Sequence, residues 1–292
     1  MGYEVYWNSE KSIDIRHKNN EDSLMFSEYS FMGDEPIKTI VIADGVGAYK
    51  NGKTASDNAV TGFLEALYSE IFKIYQKSST EGYSLRYYIQ DVKEAMKDAI
   101  IKANGKVCAG VGQYEKTGTT ISAVCVIDDC AVIANVGDSP VYYYNSRRQK
   151  LVLVSELQTL AEKNVENGIY ARYSPDYYDD EHRIYHYLGE SLELDPCDIF
   201  MRTIGNLTEG DIILSGTDGA FSYMKNSEIQ NLIYNMIKTP KAVGKNDGYI
   251  NSKGCIEDNS LDGAGFLEEL FRRANEYKFD DQTAILYVLT NG

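Results

Sequence analysis

The chain is poor in the residues that mark several common functions. It has three histidines (His17, His182, His186) among 292 residues, and five cysteines with no Cys-x-x-Cys pair. Scattered cysteines in odd number offer neither a disulfide framework nor a zinc ribbon. His182 and His186 stand four apart, but EHRIYHYLG has no Glu where a zincin needs it, so both read as polar loop or strand residues. Basic residues are outnumbered, 29 Lys and Arg against 44 Asp and Glu, for a formal charge of −15. Nucleic-acid phosphates are held by clustered Lys and Arg, so neither nucleic acid nor an anionic membrane surface is an expected partner. No stretch approaches the roughly 18 apolar residues that cross a bilayer. The opening MGYEVYWNSEKSIDIRHKNNED has no apolar leader core, which points to a cytoplasmic protein.

What is present suffices for a folded core. Hydrophobic residues make up 43% and charged residues 25%, the balance of an ordinary globular chain. No internal repeat or long linker divides the sequence, so one domain over residues 1–292 is the simplest partition. The Gly/Asn/Asp-rich stretch 243–265 is low in hydrophobicity and reads as a mobile surface insertion.

Periodicity supplies the elements. TIVIA (Thr39 to Ala43) is a short β-branched run stopped by Asp44-Gly45 and reads as a buried strand, with another strand in SLMFSEYSF before it. Ala59, Phe63, Leu67, Ile71 and Ile74 recur at three and four, predicting a helix from Thr54 to about Lys77. Ile89, Val92, Met96 and Ala99 predict a second, ending at Gly105. TTISAVCVI, AVIANV, VYYY and LVLV then follow with no room for helices between them, which predicts an antiparallel meander. Further on come a helix from Leu157 to about Asn167 and a Tyr/Asp-rich loop near 174–181. A strand in DIILSGTD, helices on either side of the insertion, and a last strand TAILYVL complete the order.

Two motifs bear on chemistry. Gly47-Ala48-Tyr49-Lys50-Asn51-Gly52-Lys53-Thr54 matches G-x-x-x-x-G-K-[ST] between a strand and a helix, the setting of a phosphate-binding P-loop. In that reading Lys53 reaches the terminal phosphates and Thr54 holds magnesium. Against it, P-loop enzymes use a mostly parallel sheet, whereas the centre of this chain is hairpin-connected. The second pattern is where acids fall: Asp44, Asp138 and Asp218 each close an apolar strand, and Asp280-Asp281 immediately precede one. Strands aligned in one sheet would gather these carboxylates at one rim, where they repel each other unless cations neutralise them. Oxygen-only ligands favour Mg2+ or Mn2+ over zinc. Two such ions about 3.5–4 Å apart share and acidify a water and clamp a phosphoryl group. This predicts phosphate-ester hydrolysis without a covalent enzyme intermediate.

Several motifs in order resemble the metal-dependent Ser/Thr protein phosphatases of the type 2C, or PPM, family. Asn20-Glu21-Asp22-Ser23 resembles its N-[EQ]-D-S, and ADGVGAYKNGKTAS (43–56) the bacterial form of its D-G-x-G-G motif, which absorbs the P-loop match. Gly118-Thr119-Thr120, Ala134-Asn135-Val136-Gly137-Asp138-Ser139, Tyr187-Leu188-Gly189, Gly210-Asp211 with Thr217-Asp218-Gly219, and Asp280-Asp281-Gln282-Thr283 resemble the rest. The resemblance implies an α+β fold, a four-layer α/β/β/α sandwich of two antiparallel sheets flanked by helix pairs. It implies that Asp44 bridges two Mn2+ or Mg2+ ions, Gly45 lends its carbonyl, Asp218 and Asp280 complete the first ion's ligands, and Asp138 with Asp218 holds a third. Glu21 and Asp22 would accept hydrogen bonds from waters on the ions. Substrates would be phosphoserine and phosphothreonine proteins, with a cognate Ser/Thr kinase as a partner.

There are departures. The family's phosphate-binding Arg stands where this chain has His17, with Arg16 one position earlier, so either Arg16 or His17 takes that role. Val46 replaces a His of many eukaryotic members, Tyr49 and Lys53 replace a His and a Glu of bacterial ones, and Pro140 a basic residue. The Tyr-rich stretch 170–187 falls at the family's flap. Two other readings stand beside an active phosphatase: a catalytically weak, phosphoprotein-binding member of the same fold, motivated by the displaced Arg, and the P-loop nucleotidase.

Overall fold

The structure, a computed structural model, describes residues 1–15, 18–31, 36–47, 51–110, 116–221, 223–238, 249–251 and 261–291. In chain order the strands and helices are β1 (Gly2–Glu10), β2 (Ser23–Tyr29), β3 (Ile37–Ala43), α1 (Gly52–Glu81), α2 (Ile89–Ala109), β4 (Ile121–Ile127), β5 (Cys130–Val136), β6 (Val141–Asn145), β7 (Lys150–Leu153), α3 (Leu160–Glu166), α4 (Pro175–Asp180), β8 (Phe200–Ile204), β9 (Ile212–Gly216), α5 (Asn226–Lys238), β10 (Tyr249–Asn251), α6 (Gly263–Ala274) and β11 (Gln282–Thr290). They form two compact units interleaved in sequence, one of Glu21–Ser139 with Ser155–Asn206, the other of Met1–Asn20, Pro140–Val154 and Leu207–Gly292.

The first unit carries an antiparallel sheet in the order β2-β3-β4-β5-β8. Helices α1 and α2 bury one stripe each against it. Ala55, Ala59, Phe63, Leu67 and Ile71 recur every fourth residue along α1, and Val92, Met96, Ala99, Ala103 and Val107 line α2. They meet Ile37, Val41, Ile121, Ala123, Val132 and Ala134, the alternate residues of β3, β4 and β5. Because the other alternation, including Ile40, Ile42 and Ile133, is also buried, these strands read as near-continuous apolar runs, broken by the buried Lys38, Thr39, Ser122 and Asn135. Each large side chain so buried contributes about 1.5–3 kcal/mol.

The second unit has a sheet in the order β10-β1-β11-β9-β6-β7, all antiparallel. Ile229, Leu232, Ile233 and Met236 of α5 and Phe266, Leu267, Leu270 and Phe271 of α6 pack with Tyr142, Leu214, Leu286 and Val288 of the sheet.

Four expectations change. Gly105 does not end α2, which runs on to Ala109 because Val107 continues its buried stripe, and a glycine there costs only about 1 kcal/mol. The four-strand meander is two hairpins in different sheets: β5 pairs with β4 and β8, while β6 pairs with β7 and β9. Gly137, at φ +98, lies against Thr120, and Pro140 has no N–H for a ladder, so 137–140 leads the chain out of one sheet. The loop near 174–181 contains the short helix α4, with Ser174 accepting from the Tyr177 N–H and Pro175 in the first turn. Strands β8 and β10 were not foreseen. Most of the expected insertion at 243–265 lies outside the described residues.

Candidate metal centre

Antiparallel pairing decides where the acids fall. In the first unit Ser23 is opposite Ala43, Ile42 opposite Ser122, and Ile121 opposite Val136. The start of β2, the end of β3, the start of β4 and the end of β5 therefore share one rim, which places Glu21, Asp22, Asp44, Gly45 and Asp138 along it. Asp44 is seated by the Gly118-Thr119-Thr120 segment: its N–H donates to Thr120 Oγ1 at 3.0 Å, and its carbonyl accepts from Thr120 N at 2.9 Å and Thr119 Oγ1 at 2.8 Å. Thr120 Oγ1 also lies 2.7 Å from Ser139 Oγ, linking this seat to the residue after Asp138. Gly45 forms a β-bridge with Thr119.

The P-loop geometry is not met. Lys53 Nζ donates to the Asp22 carbonyl at 2.8 Å and to Ser23 Oγ at 3.0 Å, and pairs with Asp57 at 2.9 Å, so its charge points into its own unit. The Glu21 carboxylate covers Gly52 at the start of α1, where a Cβ would stand 2.7 Å from its Oε2. An acid thus occupies the helix entrance that a P-loop offers to phosphate. Ala48, Tyr49 and Lys50 lie outside the described residues, as do Arg16 and His17.

The second unit repeats the device. Gly216 is opposite Ala284, so the end of β9 and the start of β11 share a rim that carries Asp218 and Asp280. The expected single rim is therefore two rims on two sheets, because the meander divides between them. Asp218 and Asp280 meet on one cation: Lys278 Nζ lies 2.7 Å from Asp280 Oδ2 and 3.2 Å from Asp218 Oδ2. The Asp218 charge, with Asp280 after it, holds the ammonium well above the ordinary lysine range. Burial and then the Asp218 charge push the Asp280 carboxyl up, with Lys278 pulling the other way. Gly219 makes this approach possible, since a Cβ there would fall 2.0 Å from the Asp281 carbonyl oxygen. Asp281 itself is buried and accepts from the Ser12 N–H at 2.7 Å, which fixes the chain beyond β1.

These groups fit a divalent cation. The donors are carboxylate and carbonyl oxygens, the choice of Mg2+ and Mn2+. The Asp218–Asp280 pair is two like charges already closed by a positive one. Among the described residues no three His, Cys, Asp or Glu side chains make a cage by themselves.

The flap region is anchored at both ends. Thr119, which seats Asp44, exchanges backbone bonds with Leu188 at 2.8 and 3.0 Å. Buried Glu162 of α3 accepts from Tyr177 Oη at 2.6 Å and pairs with Arg172. Burial, then the Glu162 bond, pushes the Tyr177 phenol above its usual range. His186 lies 3.3 Å from Asp198. Lys278 and Glu162 were missed in the sequence because each takes its meaning from partners distant along the chain.

The sequence model of the protein phosphatase 2C family matches residues 15–244, and the chain belongs to that family. It is similar to the protein phosphatase PhpP of Streptococcus pneumoniae, 23% identical over 236 residues that cover 79% of this chain and 86% of that one. The crystal structure of the Mycobacterium tuberculosis serine/threonine phosphatase PstP superposes with a TM-score of 0.69 at 18% identity, covering all of both chains. A PstP catalytic domain crystallised with two manganese ions superposes at 0.63 with 17% identity over the full length of both. At these identities the structures establish the fold, the α+β arrangement of two antiparallel sheets flanked by helix pairs.

Proposed function

We propose that this chain is a metal-dependent protein serine/threonine phosphatase, a single phosphatase domain over residues 1–292 that works in the cytoplasm on phosphoproteins, opposite a cognate Ser/Thr kinase. The observation that carries the reading is that Asp218 and Asp280, at two of the family's motif positions, converge on one cation. Asp44, the Gly45 carbonyl, Asp218 and Asp280 would hold two Mn2+ or Mg2+ ions, and Asp138 with Asp218 a third. When bound, the ions supply a water acidified towards neutrality and a positive field on the phosphoryl oxygens.

The chain's own residues do the positioning. Thr119 and Thr120 fix the Asp44 backbone at the end of β3. Glu21 and Asp22 stand on the same rim to accept hydrogen bonds from waters. Arg16 or His17 receives the substrate phosphate, and Arg16 would grip it with the stronger, two-pronged fork. The anchored 170–187 flap sets which sequences around the phosphoresidue are accepted. With Mn2+ the wild type should release phosphate from a phosphothreonine peptide in preference to a phosphotyrosine peptide, and Asp218→Asn should lose at least about a hundredfold. Equal rates in wild type and Asp218→Asn, whether both inert or both active, would sink the reading.

A further inference from the structure

We infer that Lys278 is a tethered counter-cation, which closes the Asp218–Asp280 pair in the metal-free protein and must be displaced when a divalent ion binds there. This rests on the reading of those two aspartates as metal ligands. The geometry is specific: one ammonium lies 2.7 Å from one carboxylate and 3.2 Å from the other. The side chain is held there from its root, since Lys278 N–H and Tyr277 N–H both bond to the Ala274 carbonyl at the end of α6, at 3.1 and 3.0 Å. It is 31% exposed, so a path to solvent is open to it.

A lysine suits this task because its charge is compact and sits on a flexible four-carbon stem. It can neutralise two carboxylates and also swing away. A divalent ion on the same oxygens brings twice the charge and repels the ammonium. Lys278 then has two opposite effects. It protects the empty site from the mutual repulsion of its acids, and it competes with the metal. If the ammonium holds the pair about nine-tenths of the time, the apparent dissociation constant of the metal rises about tenfold. The threshold metal concentration for loading this site is thus raised by one residue, and a purely structural lysine would not act in this way. Removing a structural lysine would weaken the metal-free fold and metal binding together, whereas removing a competitor weakens the first and strengthens the second.

The test uses the full-length chain stripped with EDTA, comparing wild type, Lys278→Met and Asp218→Asn by titration calorimetry with MnCl2 and by thermal melting. Lys278→Met should bind Mn2+ about tenfold more tightly than wild type while melting at a lower temperature in EDTA. Unchanged or weaker binding in Lys278→Met, beside normal binding in wild type and loss in Asp218→Asn, overturns the inference and leaves the phosphatase reading intact. Binding by Asp218→Asn as tight as wild type removes the ligand assignment, and the inference with it. Should Lys278→Met not fold, wild type alone decides. Reductive methylation followed by mass spectrometry should label Lys278 several-fold faster once Mn2+ is added, and unchanged or slower labelling overturns the inference.

Discussion

Substituting Gly219 by alanine tests the geometry that brings Asp218 to Asp280. A Cβ at Gly219 would lie 2.0 Å from the Asp281 carbonyl oxygen and 3.0 Å from Asp280 Cβ, both on chain that leads directly into β11. Ordinary carbon contacts begin near 3.5 Å, so the Thr217–Ala220 turn has to move by more than about 1 Å. The Gln282 amide donates to the Gly219 carbonyl at 3.1 Å and to the Phe271 carbonyl at 3.2 Å, and it loses the first of these acceptors in the process. Overpacking of this kind costs about 1–3 kcal/mol, and at roughly 2–4 °C per kcal/mol the melting temperature should fall by about 2–12 °C. Activity should suffer more, because a displacement of about 1 Å in a positioned group costs about a hundredfold. The assay is kcat/KM on a phosphothreonine peptide with saturating Mn2+, with a thermal melt beside it. Gly82→Ala is the control. Gly82 follows α1 at φ +73 with nothing within 4 Å of a Cβ, so alanine there costs about 1 kcal/mol of backbone strain and leaves activity unchanged. Wild-type kcat/KM in Gly219→Ala, or an equal loss in Gly82→Ala, would refute the reasoning.

Asp211 is fully buried and accepts from Tyr143 Oη at 2.7 Å, Ser146 N at 2.8 Å and Thr208 N at 3.0 Å, tying the β6–β7 turn to the chain before β9. Asp211→Ala strands these donors, so it should cost about 3 kcal/mol or more in a chemical-denaturation curve while activity per folded molecule is kept. Burial pushes the Cys125 thiol up to about 12, whereas Cys197 is exposed. Iodoacetamide at pH 8 should therefore modify Cys197 and spare Cys125 until denaturant is added, as read by peptide mass spectrometry. Because the folded thiol ionises later than the unfolded one, its contribution is complete below a pH of about 8.5 and is lost as pH rises towards 12. Cys125→Ala should remove that part of the alkaline slope of stability.

Much of the fold is legible in the sequence because burial writes a period into it. The every-fourth apolar residues of α1 and the near-continuous apolar runs of β3, β4 and β5 follow directly from what each element packs against. The acids of the candidate site are legible for a related reason: an Asp after an apolar run is an Asp at a sheet rim. Which rim is not legible. Gly137 to Pro140 reads as one more hairpin turn, and only strand pairing reveals that the chain changes sheet there. The helix end misplaced at Gly105 has the same origin, since a glycine's local cost is smaller than the packing gained by Val107. Lys278, two residues before Asp280, looks like an ordinary surface lysine until its partner Asp218, 60 residues away in the chain, is in place. The P-loop match shows the converse error: the local pattern is complete, but Lys53 is held by Asp22, Ser23 and Asp57.

The central claim is that the aspartates of the two rims serve a phosphatase through divalent cations. The most direct measurement is phosphate release from a phosphothreonine peptide by the EDTA-stripped chain as MnCl2 is titrated in, for wild type and Asp44→Asn. Release should be absent without metal, rise to saturation with Mn2+ in wild type, and stay at least about a hundredfold lower in Asp44→Asn at every concentration. Release at the same rate before and after Mn2+ addition, or an Asp44→Asn curve that overlays the wild type, would contradict it.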